Sequence, residues 1–205
     1  MSLALATLAL AAALISACSS GSGSTPASTR PAGGSTSSPQ PSAVVATQVD
    51  PATVPLQPDS AAQQGYTISV PADWQAENIP MPGGFGRRYT MFNAGARQVQ
   101  ITVSCNANTT VSTMQTQDNS IVQSLKGTYA VNGLTDVTLA GLQGKSTDYS
   151  LIVGGLKQES HVIYLQGKTC GWRLLMQGFG AGVLERYTTL LERISATFKP
   201  ADAAG

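Results

Sequence analysis

The sequence predicts an α+β domain, an antiparallel sheet flanked by helices. Three observations carry this reading. Alternating apolar and polar runs recur between Tyr66 and Met176. Gly154-Gly155 stands between two of those runs, the chemistry of a two-residue hairpin turn. After the last run, Val183, Tyr187, Leu190, Leu191, Ile194 and Phe198 follow the spacing of one helical face, with Glu185, Arg186, Glu192 and Arg193 off it.

The chain begins differently. Leu3 to Ile15 is apolar apart from Thr7. Such a run is short of the roughly 20 residues of a membrane span and fits the roughly 7–15 of a secretory signal core. Ile15-Ser16-Ala17-Cys18 follows it and resembles the lipobox of bacterial lipoproteins. The resemblance implies that residues 1–17 are a lipoprotein signal peptide and that Cys18 is diacylated, becoming the first mature residue. Met1 and Ser2 depart from the pattern by carrying no Lys or Arg. The alternative is a plain secretory signal with a chance Cys. From Ser19 to Pro39 every residue is Ser, Thr, Gly, Pro or Ala, except Arg30. Pro41, Pro51, Pro55 and Pro58 continue the loose composition. Residues 18–64 therefore read as a lipidated Cys and a disordered Ser/Thr/Pro/Gly-rich tether, with an average reach of about 35–40 Å for a flexible chain of that length.

Residues 65–200 read as the globular domain. Tyr66, Ile68 and Val70 alternate with Thr67 and Ser69 up to Pro71. A weaker strand is expected over Arg88 to Asn93, and a clear one where Val99, Ile101 and Val103 alternate with polar residues. Ser112 and Gln115 read as a capping box, opening a helix that carries Met114, Ile121 and Leu125 on one face and stops at Gly127. Val137 and Leu139 begin the next strand, and Thr147, Tyr149, Leu151 and Val153 mark another. The return strand runs from Leu156 to Leu165, and Gln166-Gly167-Lys168 turns the chain into a strand with Cys170, Trp172, Leu174 and Met176 on one face.

The stretch Tyr66 to Trp74, an aromatic-led strand running into Pro71 and then Trp74, resembles the opening of PsbP-like domains. The late meander and the helix ending in Ile194 to Phe198 are similar to the same domains. The resemblance implies an α/β/α sandwich. Together with the lipobox and tether, it resembles LpqN-type actinobacterial lipoproteins. It implies a lipid-anchored place on the extracytoplasmic face of a bacterial membrane, with an envelope glycolipid as a candidate ligand.

Charged residues are 11% of the chain, and twelve Lys and Arg face eleven Asp and Glu for a net charge of +1. That excludes the basic footprint of a nucleic-acid binder. One His and three Cys suggest no metal centre, and no motif suggests a cofactor. Cys105 continues the face of Val99, Ile101 and Val103, while Cys170 opens the face of Trp172. An even pair in an exported protein predicts a disulfide between them, and two buried free thiols are the alternative. The bond requires the strand before the first helix to neighbour the strand before the last.

No catalytic residue is predicted. His161 reads as a surface residue, since no nucleophile elbow accompanies it. Asp73 and Glu77 straddle Trp74 as turn residues. Pro82 to Arg88 reads as a glycine-rich loop whose Phe85, Arg87 and Arg88 are candidate contacts for a partner or ligand. Its plainer reading is a hairpin tip whose Phe85 folds back on the sheet. The function expected is a non-enzymatic, lipid-anchored cell-envelope protein, attached to the membrane by its anchor and binding an envelope lipid or a protein partner. The alternatives are an accessory or assembly subunit of a membrane complex, and a hydrolase with an unrecognised site.

Overall fold

The computed structural model describes residues 50–59, 65–125 and 127–203. Cys18 and the expected signal segment lie outside them. In chain order the strands are β1 (Gln57–Pro58), β2 (Tyr66–Thr67), β3 (Ser69–Val70), β4 (Gln75–Met81), β5 (Gly84–Asn93) and β6 (Ala96–Ala107). Helix α1 (Val111–Ser124) separates these from β7 (Thr128–Val131), β8 (Thr135–Leu139), β9 (Leu142–Val153), β10 (Leu156–Gln166) and β11 (Cys170–Phe179). Helix α2 (Val183–Ala196) and β12 (Lys199–Pro200) follow. The main sheet is antiparallel, in the order β4-β5-β6-β11-β10-β9-β7, with β8 also paired to β9.

Alternation along the central strands gives the sheet two faces. Val99, Ile101, Val103, Leu174 and Met176 point to one face and pack with Val183, Leu190, Leu191, Ile194 and Phe198 from α2 and its exit. Fully burying such a side chain contributes about 1.5–3 kcal/mol. Leu175, Val162, Tyr164 and Tyr149 point to the other face, where Met114, Val111 and Val122 of α1 cover them. The helices therefore lie on opposite faces, the expected sandwich. The Gly154-Gly155 turn forms as expected, with φ of 59° and 80°, values that Gly adopts without a Cβ penalty.

Four local expectations change. The cap of α1 is Thr110, whose hydroxyl accepts the Thr113 N–H at 3.2 Å, so the helix starts before the expected Ser112–Gln115 box. It also ends at Ser124 with Leu125 extended, short of Gly127. Asp73 to Glu77 is no simple turn, because Gln75–Met81 forms β4. This edge strand is mostly exposed and holds Pro80, so it lacks an apolar period to read. Finally, residues 50–59, expected within the tether, pack on the domain. Val54 and Leu56 lie against the core, and β1 pairs with β3. Arg193 of α2 donates to the carbonyls of Pro51 and Val54, at 3.1 and 3.0 Å. Asp59 accepts from Arg87 Nε at 2.6 Å and from the Tyr89 hydroxyl at 2.6 Å.

Strands β6 and β11 are neighbours, as the disulfide reading requires. Cys105 and Cys170 are bonded, with Cα atoms 5.6 Å apart. Both are buried on the α2 side of the sheet.

Two expected outcomes follow from these contacts. Unreduced, denatured protein alkylates at neither Cys105 nor Cys170, and the double Cys→Ser variant loses up to about 4 kcal/mol in urea unfolding, since the bond closes a long loop. A chain beginning at Gly65 unfolds at lower urea than one beginning at Asp50. It leaves the guanidinium of Arg87, 9% exposed, without its Asp59 partner, and breaking a buried pair in this way costs about 3–5 kcal/mol.

Candidate functional site

The sheet face under α1 carries a groove of about 370 Å³. Met114 seats the helix on the sheet, 2% exposed. Ser112, Gln115, Thr116 and Asn119, spaced three or four apart along the helix, then form one wall. The chain between β7 and β8 forms the other wall with Val131, Asn132 and Leu134. Thr147 and Tyr149 of β9 form the floor. Val131 and Leu134 are 42% and 55% exposed, an apolar rim over a polar floor.

Beside the floor, between α1 and the sheet, runs a buried polar network. Asp118, on the inner side of α1, forms an ion pair with Arg173 of β11. Its other carboxylate oxygen accepts the Tyr164 hydroxyl at 2.8 Å. The Tyr149 hydroxyl lies 3.1 Å from both the Tyr164 oxygen and Asn119 Oδ1 and has one proton to share between them. Burial, and then the Asp118 charge, push the Tyr164 phenol above its ordinary range. Burial also raises Tyr149. Both phenols therefore stay neutral, and neither serves as a base near neutral pH. Two donors here are left over: Arg173 Nε within the network, and Gln115 Nε2, which is buried at the groove wall; neither has a hydrogen-bond partner. A buried donor without a partner costs stability and calls for an explanation.

A smaller hollow of about 220 Å³ includes Ala130, Asn132, Asp148, Glu159 and Leu184. Beside it His161 Nδ1 lies 2.7 Å from Asp148 Oδ1 on the sheet surface. Glu159 is held by Lys157 at 2.6 Å and accepts the Gly182 N–H at 3.2 Å. Among the described residues no Ser, Thr or Cys side chain hydrogen-bonds to His161. The pair thus lacks the nucleophile that triad chemistry needs.

The residues expected in a recognition loop are placed elsewhere. Phe85, Arg87 and Arg88 belong to β5, and only the Pro82-Gly83 step forms the turn. Phe85 folds back and stacks on Tyr66 with ring centroids 6.1 Å apart, and it meets Trp172 edge-on at 5.8 Å. Arg87 is buried against Asp59 and Asn78, and Arg88 bonds Glu77 across the strand pair at 2.8 Å. Aromatic packing and cross-strand charge pairing thus take up all three side chains, and the sheet holds none of them near the groove. Sequence reasoning missed Asp118, Gln115, Tyr164 and Arg173. A local signal existed for one of them: Asp118 falls four residues after Met114, on the face that should be apolar.

No family model matches the chain, and no curated protein matches it in sequence. Among solved structures it is similar to the cyanobacterial PsbP protein CyanoP of Synechocystis sp. PCC 6803, with a TM-score of 0.54 and 12% identity, covering 72% of this chain and 93% of that one. Two further likenesses fall below a TM-score of 0.5 and add no argument. They are PA94 of Pseudomonas aeruginosa (0.45, 12% identity, 69% and 94% covered) and LpqN of Mycobacterium tuberculosis, described as involved in cell envelope biogenesis (0.41, 13% identity, 71% and 90% covered). Identity this low speaks to architecture alone, and on that ground the chain has a PsbP-like fold.

Proposed function

We propose that the protein is a non-catalytic, lipid-anchored cell-envelope protein whose groove between α1 and the β7–β8 corner binds an amphiphilic ligand or a partner segment of similar chemistry. One observation carries this reading: the unpartnered Gln115 amide lies in a groove rimmed by exposed Val131 and Leu134. A ligand with an oxygen acceptor beside an apolar segment satisfies both features once the Gln115 carboxamide turns its Nε2 toward the groove. An envelope glycolipid has that chemistry. The groups that could do covalent work support binding over turnover. Tyr149 and Tyr164 are held neutral, His161 has only Asp148, and Cys105 and Cys170 are bonded to each other. The disulfide also supports an oxidising compartment, in keeping with an exported chain.

Binding is tested with Gln115→Leu. Removing an unsatisfied buried donor is expected to raise the stability of the free protein by about 1–3 kcal/mol. The same change is expected to reduce, by at least about tenfold in affinity or about 1.4 kcal/mol, the amphiphile retained by protein extracted from membranes, read by native mass spectrometry. Unchanged retention overturns the groove as the site. Co-purification of a stoichiometric membrane complex with no retained amphiphile favours an accessory subunit instead.

Anchoring is tested with Cys18→Ala. The variant is expected to leave the membrane fraction or to accumulate unprocessed, because stable attachment needs more than one acyl chain and the anchor supplies them at Cys18. Unchanged fractionation and mass would refute the lipobox reading.

A further inference from the structure

Asn132-Gly133 is the only Asn-Gly pair in the sequence. It forms the corner between β7 and β8, with both residues exposed. The main chain of Asn132 is held on both sides: its N–H donates to Asp148 O at 3.0 Å, and its carbonyl accepts the Thr147 hydroxyl at 2.8 Å. The Asn132 carboxamide and the Gly133 N–H, in contrast, make no hydrogen bond among the described residues. A Cβ added at Gly133 would meet nothing within 4 Å. The reacting groups are adjacent, accessible and unengaged, and no side chain at residue 133 obstructs their approach.

We propose that Asn132 is a site of spontaneous covalent modification, at which its carboxamide cyclises on the Gly133 amide and is then hydrolysed to aspartate or isoaspartate. The Gly133 nitrogen gives up its proton to solvent base and attacks Cγ of Asn132. The new N–Cγ bond forms, the Cγ–Nδ2 bond breaks, and Nδ2 leaves as ammonia after taking a proton from water. A water molecule then opens the five-membered imide. Attack at the former side-chain carbonyl gives aspartate, and attack at the main-chain carbonyl gives isoaspartate. No electrons are transferred, and water is the sole co-reactant.

The consequence lies in the groove. Its lining carries no charged side chain, so the product carboxylate is the first charge there. Asn132 also borders the smaller hollow on its other side. Isoaspartate further inserts a methylene into the main chain between the bonds to Asp148 and Thr147. The added atom lengthens the span between those two bonds, and the Val131–Leu134 wall is expected to shift with it. The site thus converts a neutral, formed groove into an anionic, loosened one as the protein ages. The inference does not depend on which ligand the groove takes.

The test incubates the purified full-length protein at mildly alkaline pH. Peptide mapping by mass spectrometry, with fragmentation that separates aspartate from isoaspartate, then reads each asparagine. Conversion at Asn132 is expected to outrun that at Asn93 and Asn108, which are also exposed, and to quicken as pH rises. Gly133→Ala points its methyl into open space and is expected to keep the melting temperature while losing most of the conversion. Asn132→Gln, which would have to close a larger ring, is expected to lose it too. The proposal fails if folded Asn132 stays intact while the denatured chain converts in the same buffer. It also fails if Asn132 reacts no faster than Asn93, or if Gly133→Ala reacts at the wild-type rate.

Discussion

The antiparallel pairing of β6 with β11 is the constraint on which the rest of the domain depends. These strands sit mid-sheet, and each feeds a helix: β6 leads into α1 and β11 into α2. Their register sets Cys105 opposite Trp172 and Val103 opposite Leu174. A slip of one residue would turn every side chain of one strand to the wrong face. The register also places Trp172 among Tyr66, Phe85 and Phe198, with ring centroids 5.4–5.8 Å from it. The disulfide joins the two strands beside that aromatic group. Because α1 and α2 leave from adjacent strands and cover opposite faces, this one ladder fixes where both layers lie.

Each face then holds a buried cluster of the same composition. On the α2 side, Asp59, Arg87, Tyr89 and Tyr66 interact, with the two phenol oxygens 3.1 Å apart. On the α1 side, Asp118, Arg173, Tyr164 and Tyr149 do the same, again with phenol oxygens 3.1 Å apart. Desolvating the charges is costly, and the added phenol and amide hydrogen bonds offset that cost. Burial pushes Tyr66 up to about 12, and burial with the Asp59 hydrogen bond raises Tyr89 further. The four phenols stay neutral near neutral pH, and the clusters act as polar joints. One ties the segment of residues 50–59 to the sheet, and the other ties α1 to it.

The groove follows from the second joint. Asp118 anchors the inner side of α1 deeply enough that its flank, from Ser112 to Asn119, stands beside the β7–β8 corner instead of over it. The space between has a floor rigidified by the Tyr149–Tyr164 contact. A PsbP-like fold by itself assigns no function, so the functional reading rests on what lines that space. The opposite edge of the sheet offers less, since β4 carries Glu77 and Pro80, residues that discourage strand addition.

The sequence by itself determined the α+β class, the central strands, α2, the Gly154-Gly155 hairpin and the facing of Cys105 and Cys170. All of these are local signals. A period of two or of 3.6 residues, a turn dipeptide or the parity of a side chain is written within a dozen neighbouring positions. Tertiary structure alone decided the rest. Residues 50–59 look like tether in composition, and Arg87, Arg193 and the exposed edge of β3 make them part of the domain. Phe85 looks like a loop residue until Tyr66 and Trp172 are brought around it. Tyr164 meets Asp118 across 46 positions, and Arg173 meets it across 55. Such contacts depend on strand order and on how a helix is seated, and no window of sequence contains both partners. The groove belongs to the same class: its walls come from α1 and from the β7–β8 corner, and only the sheet beneath them sets the distance between.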